Sequence, residues 1–284
     1  MTQLKHVKEF LGTWKGTEGQ LLIPRKIYDT LIEEADKFLI PRTEAALVFG
    51  PGEIPGSSID LDLVTPDSMN VREVAEGAEV PLDVVEYTNL NLKPKKYGVS
   101  VRVTKELLED AKWNILDHNV RAAGKRFAEN ENSLIVSDAL DSAGNTVSGG
   151  AAITIANLTR AMQYLEDSDY TPTTLFVGME VLNDLRNIDT FVLYQNIGNT
   201  DMLDAGFLGT IYGLQVIRVS TNAGMTNTSA YVTDKAHAYI IAEKRPVTVE
   251  GFDLQTHDMS GVVVTQRIKV DDLRSSAIAK ITTS

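Results

Sequence analysis

Ser58-Ile59-Asp60-Leu61-Asp62-Leu63 and, further on, Tyr97-Gly98-Val99-Ser100-Val101-Arg102-Val103 decide how this chain folds. In both stretches apolar side chains alternate with polar or small ones, the two-residue period of a strand buried on one face. Between them the chain reaches a polar turn at Glu76-Gly77-Ala78-Glu79 and returns through Val84. The pattern predicts a long hairpin-like arm. An arm of about 20 residues would span roughly 65 Å, too far to lie over one small core. A two-stranded ribbon is only marginally stable in water, so such an arm needs support from another chain.

The arm runs into helical sequence. Thr104 is placed as an N-cap for a short helix through Ala111. Asn114 followed by Asp117 opens a longer one, with Leu116, Val120, Ala123, Phe127 and Leu134 on one face, running to about Leu140. At the usual rise this helix is nearly 40 Å long. Upstream, residues 1–23 read as an extended arm, and Pro24 opens a helix carrying Ile27, Leu31, Ala35, Phe38 and Leu39 until Pro41 stops it. A short strand, Ala45–Phe49, precedes the turn-rich Gly50–Ser58 segment. Downstream, residues 141–150 read as a loop and lobe boundary. Helices are then predicted at Thr154–Glu166 and Met179–Asn187, and strands at Thr174–Val177, Leu214–Val219, Ala230–Thr233, Ala238–Ala242, Val247–Glu250, Val262–Val270 and Ala277–Thr282.

Composition narrows the function. At 284 residues and 43% hydrophobic content the chain can bury a core, in two lobes rather than one. It has no cysteine, which excludes disulfides, thiolate catalysis and cysteine-bound zinc. No apolar run approaches a membrane span, and Met1–Trp14 lacks the apolar core of a secretory signal. With 27 Lys and Arg against 39 Asp and Glu, the net charge of −12 disfavours tight, phosphate-led binding of nucleic acid.

Catalysis finds no support in the residues. His6, His118, His237 and His257 are scattered, without the spacing of a metal site. Asp60 and Asp62 share a strand face that reads as solvated, Asp201 and Asp204 lack EF-hand spacing, and Asp271-Asp272 reads as a turn near a strand end. The Gly50–Ser58 loop lacks the Gly-Lys-Ser/Thr ending of a phosphate loop, and no serine sits in a G-x-S-x-G elbow. No catalytic residue, cofactor or metal is expected.

The order of elements, arm, helix, ribbon, long helix, α/β lobe and closing strands, resembles the major capsid protein of tailed bacteriophages and related archaeal viruses, the Hong Kong 97-type fold. The local likenesses are Tyr97–Asp110, running from strand into short helix, and Asn130–Ile135, similar to the later part of the family's spine helix. Thr173–Arg186 resembles its axial strand and helix, Leu208–Ile217 a strand entry with Gln215 where proline is common, and Val263–Ile281 the closing strands.

The resemblance implies an α+β chain with an N-terminal arm at 1–24 and an extended two-stranded loop at 52–96. A peripheral lobe would combine 25–51, 97–145 with the spine helix, and a strand pair at 246–270. An α/β axial lobe at 146–245 would be closed by 271–284. It further implies a structural protein that assembles as hexamers and pentamers into an icosahedral or prolate shell around double-stranded DNA, in the virion, after assembly in the host cytoplasm. Copies would meet at the loop tip, Glu76, Gly77, Ala78 and Glu79, and at the peripheral-lobe loop, Asp253, His257 and Asp258. Residues around Phe191–Phe207 would approach the hexamer or pentamer axis. Partners would be other copies, with portal, scaffolding or decoration proteins, no sequence-specific DNA contact and no membrane. Because the first helix starts near residue 25, scaffolding is expected to be separate or dispensable. Lys93, Lys95 and Lys96 lie at the loop base rather than its tip, so covalent cross-linking is not expected. An encapsulin-type compartment is the alternative within this fold, and a monomeric α/β hydrolase or binding protein the alternative outside it.

Overall fold

In a computed structural model, residues 42–64, 71–80, 82–110, 115–188 and 209–283 are described. The expected N-terminal arm and first helix, the Asn114 cap, Asp201, Asp204 and Phe191–Phe207 lie outside these residues.

In chain order the elements are β1 (Leu47–Phe49), the ribbon strands β2 (Ile59–Val64) and β3 (Tyr87–Leu92), β4 (Lys95–Thr104), α1 (Lys105–Asp110) and α2 (Ile115–Leu134). Then come β5 (Asn145–Gly150), α3 (Ile155–Glu166), β6 (Thr174–Val177), α4 (Met179–Asn187), β7 (Thr210–Ile211), β8 (Leu214–Arg218) and β9 (Ser229–Thr233). The chain closes with β10 (Tyr239–Leu254), β11 (Met259–Asp272) and β12 (Ile278–Thr283). They form a four-stranded sheet ordered β1-β10-β11-β4, a six-stranded sheet ordered β5-β12-β9-β6-β8-β7, and the ribbon.

The expected strands at Ala238–Ala242 and Val247–Glu250 are one 16-residue strand, β10, antiparallel to the 14-residue β11. Lys244, Arg245 and Pro246 break the alternation and read as a gap. The register slips once between Glu243 and Arg245 and again between Arg245 and Thr248. One slip would turn every later side chain to the opposite face. Two restore the phase, so Tyr239, Ile241, Val247 and Val249 all face the same side, and Pro246 is tolerated at the irregularity.

That side is covered by α2. Val120 and Phe127 are buried against Val262 and Val264, with Tyr97, Val99, Val247 and Val249 packed around them. Burying a side chain such as Phe127 contributes about 1.5–3 kcal/mol. Past Leu134 the helix widens into a π-helical turn, Ile135–Ala139, whose Ile135, Val136 and Ala139 enter a core shared with Phe176, Tyr231, Tyr239, Ile241, Ile268, Val270 and Ile278. This core joins the two larger sheets. A second core holds α3 and α4 on the six-stranded sheet through Leu158, Ala161, Leu165, Val181, Leu182 and Leu185.

Between α2 and the sheet lies a charged cluster. Arg42 donates to both Glu131 oxygens, at 2.8 and 2.9 Å, and to Glu243 at 2.8 Å. The amide of Gln266 donates to Glu131 at 3.2 Å and to Glu243 at 3.1 Å. Both glutamates and Gln266 are buried. Burial pushes the Glu243 carboxyl up, but the hydrogen bonds and charge of Arg42 outweigh it and hold the group below its usual range. One residue pair along, Glu44 is buried and accepts from the Thr174 hydroxyl at 2.7 Å, tying the chain before β1 to the six-stranded sheet.

Local capping follows the sequence. The Thr104 hydroxyl accepts from the Leu107 N–H, and the Thr154 hydroxyl from the Asn157 N–H, each at 3.3 Å. At α4 the cap is instead the Asn227 carbonyl, which accepts from the N–H groups of Glu180 and Val181. The preceding Gly178 has to be glycine, because a Cβ there would lie 2.4 Å from that carbonyl oxygen.

Residues 145–150 are not a loop. They form β5, paired in parallel with β12. Only Val147 anchors the strand with a large apolar side chain, and Gly149 leaves room for Thr283, whose Cγ2 would be 2.8 Å from an added Cβ. Asp271-Asp272 likewise ends β11 instead of forming a turn, opposite Ile240 and Tyr239.

Protonation should loosen this structure. Partial desolvation pushes the Asp141 carboxyl up, but Lys280 and Tyr231 outweigh it and hold the group below its usual range, so it acts with Glu243: both stabilise the fold above their unfolded pKa, and that stability is lost as pH falls through the lowered folded value. Asp272, raised by burial and by Asp271, works in the opposite sense. The net expectation is a urea midpoint that drops below roughly pH 4, and drops less in Glu243→Gln. Equal acid loss in the variant and the parent would remove Glu243 from the account.

Candidate assembly interface

The ribbon is built from the alternation noted in the sequence. Ile59, Leu61 and Leu63 pair across the strands with Leu92, Leu90 and Thr88, and Asp60 and Asp62 with Asn91 and Asn89. The apolar face packs down. Leu92 and Ile54 are buried with Ile240 and Ala242 of β10, and Phe49, Ile59, Leu61 and Leu90 surround them. The ribbon base therefore rests on the face of the four-stranded sheet opposite α2. On its outer face Asn89 donates to Asp62 at 2.8 Å and Asn91 donates to Asp60. These carboxylates are taken up by a cross-strand amide ladder.

Strand pairing among the described residues stops at Val64 and Tyr87, six residues from each ribbon end. That is about 20 Å of ribbon, much shorter than the expected arm. Residues 71–80 and 82–86 follow no strand geometry. The turn sits where the sequence placed it: Gly77 has a φ of 82°, and the Ala78 N–H donates to the Ala75 carbonyl at 3.0 Å. Arg72 reaches across the loop to Asp83 at 3.2 Å. Glu76, Gly77, Ala78 and Glu79 are all exposed.

The flanks of this turn are apolar, which a reading centred on its polar tip missed. Val71, Val80, Leu82 and Val84 project into solvent, Leu82 at 95% of its full exposure, and Tyr87 and Val64 extend the exposed set to the ribbon's end. Single exposed apolar residues are ordinary, but a run of them along one segment marks a surface that is covered in use. The signal was present in the sequence as the alternation Val80-Pro81-Leu82-Asp83-Val84, whose apolar members no described residue buries.

The other expected contact, the β10–β11 tip, is a short turn. Leu254 is followed by a single 3-10 turn, Gln255–His257, and Asp258 takes a left-handed conformation at φ 49°. Asp253 and His257 are exposed, whereas Asp258 is engaged within the chain: its carboxylate meets Lys105 at 2.7 Å and its carbonyl accepts from the Lys105 N–H at 3.0 Å. The structure thus ties this tip to the start of α1. His237 pairs with Asp234 at 2.7 Å, and no group of three or more His, Asp or Glu among the described residues is arranged to hold a metal ion.

A family model described as phage capsid protein matches residues 87–280. No curated protein matches the sequence. Among solved structures, one from Microbacterium phage Oxtober96 is 17% identical with a TM-score of 0.66, covering 86% of this chain and 91% of that one. The asymmetric unit of the bacteriophage PhiM1 mature capsid is 10% identical with a TM-score of 0.70, covering 87% of each chain. The virus-like particle from Pyrococcus furiosus is 13% identical with a TM-score of 0.60, covering 90% of this chain and 98% of that one.

The two ends of the ribbon should respond differently to mutation. Leu82→Ser and Val84→Ser remove no buried contact and should leave the unfolding free energy of the isolated chain within about 0.5 kcal/mol of the parent. Leu92→Ala empties a packed site and should cost about 2–5 kcal/mol. Denaturant titration measures both, and a large loss in the first pair would mean that those side chains are covered within the chain.

Proposed function

The chain belongs to the family of phage capsid proteins and has the Hong Kong 97-type fold, a structural shell protein of the virion, and from that premise we propose how copies of it close a shell. Subunits form hexamers and pentamers of an icosahedral or prolate capsid that encloses a double-stranded DNA genome, after assembly in the host cytoplasm. The four-stranded sheet with α2 serves as the peripheral lobe, and the six-stranded sheet with α3 and α4 as the axial lobe.

The ribbon lies across the neighbouring copy. The single observation that carries this reading is the uncovered apolar run from Val71 to Val84 around the turn at Glu76–Glu79. Only contact with a second surface removes these side chains from water, at about 25 cal/mol per Å² of apolar area covered. A head-to-tail contact of this kind closes a ring when the rotation permits it. Each contact is modest, but a subunit held at several points rebinds at high effective concentration, so the shell is far stabler than any one of them. The β10–β11 tip, with Asp253, His257 and Asp258, is a second meeting point between copies. An overall charge of −12 keeps the genome loosely held. Portal, scaffolding or decoration proteins complete the particle.

Deleting Arg72–Val84 should leave the circular dichroism of the chain native while closed shells vanish from negative-stain images. Shells of normal yield from the deleted chain would mean that the ribbon is not a clasp. The contents of shells from the parent chain, DNA or a protein cargo, separate a virion from an encapsulin-type compartment.

A further inference from the structure

At the base of the ribbon the fold assembles a row of cations that the sequence keeps far apart. Lys96 of β4 pairs with Arg267 of β11, and Arg267 pairs with Arg245 of β10. Paired residues share a sheet face. The neighbours fix which face it is: Tyr97 and Gln266 point toward α2, so Lys96, Arg267 and Arg245 stand on the opposite side, where the ribbon base lies. Lys93 is exposed in the turn between β3 and β4 beside them.

Like charges directly opposite one another on adjacent strands are destabilising. Here two such pairs are consecutive, in a chain whose carboxylates outnumber its cations 39 to 27. Even so, none of these four bases forms an ion pair among the described residues. Arg267 donates only to the neutral Pro94 carbonyl, at 3.4 Å, and the Arg245 Nε is out of solvent with no acceptor. Among the described residues this surface has cations and no anion to balance them.

The same ribbon carries the complementary group at its other end. Glu73, Glu76 and Glu79 follow one another at three-residue intervals about the Gly77 turn, all exposed, and no ion pair engages them among the described residues. We propose that the acidic turn of one copy docks on the Lys96–Arg267–Arg245 row of the next. The inference rests on the reading of the ribbon as an inter-subunit clasp and specifies what the clasp grips. Acid at the tip and base at the root make the contact heterologous, so each copy both gives and receives it, as a closing ring requires. Complementary charge also fixes the docking register and rejects a tip-to-tip approach, leaving the Val80, Leu82 and Val84 side chains to supply the apolar area. Nucleic acid phosphate is disfavoured as the occupant, because a chain of net charge −12 repels a long polyanion that a short tip of three carboxylates would not resemble.

Charge reversal with rescue tests this on the full chain. Lys96→Glu with Arg267→Glu should lower the yield of closed shells by about tenfold or more, and so should Glu73→Lys, Glu76→Lys and Glu79→Lys together, since like-charge contact is strongly rejected. Combining both sets should bring the yield back to within about twofold of the parent. If the combination is no better than either set alone, the pairing is wrong, and the effect of deleting Arg72–Val84 still reports separately on the clasp. If the row reversal leaves shell yield unchanged and lowers their DNA content, the row serves phosphate and the proposal fails. Should the reversed row unfold the chain, Lys96→Gln with Arg267→Gln is measured instead: the salt concentration that dissociates shells should fall by about twofold, and an unchanged value overturns the pairing.

Discussion

The rest of this structure depends on the β10–β11 strand pair and on the way its register survives two slips. One face of the pair receives α2 and the other receives the ribbon base. A single slip between Glu243 and Thr248 would send Val247 and Val249 to the ribbon side and leave α2 without a floor. Two slips cancel because side chains alternate with period two. The first of the two slips also sets Arg245 opposite Arg267, so the same irregularity that preserves the core creates the cation row.

The Arg42–Glu131–Glu243–Gln266 cluster sits beside that irregularity and joins α2, β10, β11 and the segment before β1. Two buried carboxylates share one half-buried guanidinium, and the desolvation of the carboxylates takes back much of the mutual attraction. Such a cluster adds little net stability over an apolar core of equal volume. Its consequence is geometric: a guanidinium held by two carboxylates admits one relative placement of helix and sheet, whereas valines and leucines tolerate several.

Much of the fold could be read from the chain because local pattern and tertiary role coincide. Thr104 caps a helix where expected, Thr174–Val177 and Met179–Asn187 have the predicted bounds, and the ribbon strands alternate as the sequence does. The misreadings fall where they diverge. Asn145–Gly150 has turn composition yet forms a strand, because Gly149 admits the Thr282–Thr283 side of β12. Lys244-Arg245-Pro246 looks like a break yet is strand, because the neighbouring β11 supplies the pairing that local propensity does not. In the candidate interface, Glu76–Glu79 was legible as a turn from Gly77 alone. The apolar flanks were present as letters but became informative only once none of the described residues covered them.

By itself, the sequence determined the element types, the turn at Gly77, the absence of any cysteine chemistry and, through the order of its elements, the resemblance to a capsid shell. Those follow from periodicity, capping and composition, which act within a few residues of one another. Only the tertiary structure decided which strands lie side by side, and with that the union of Lys96, Arg267 and Arg245 from positions as far as 171 residues apart. It also decided that Asp60 and Asp62 are taken up by Asn91 and Asn89, and Asp258 by Lys105, while Glu73, Glu76 and Glu79 have no ion-pair partner among the described residues. Charge is counted along the chain but balanced in space, and a residue's free valence exists only after its neighbours are known.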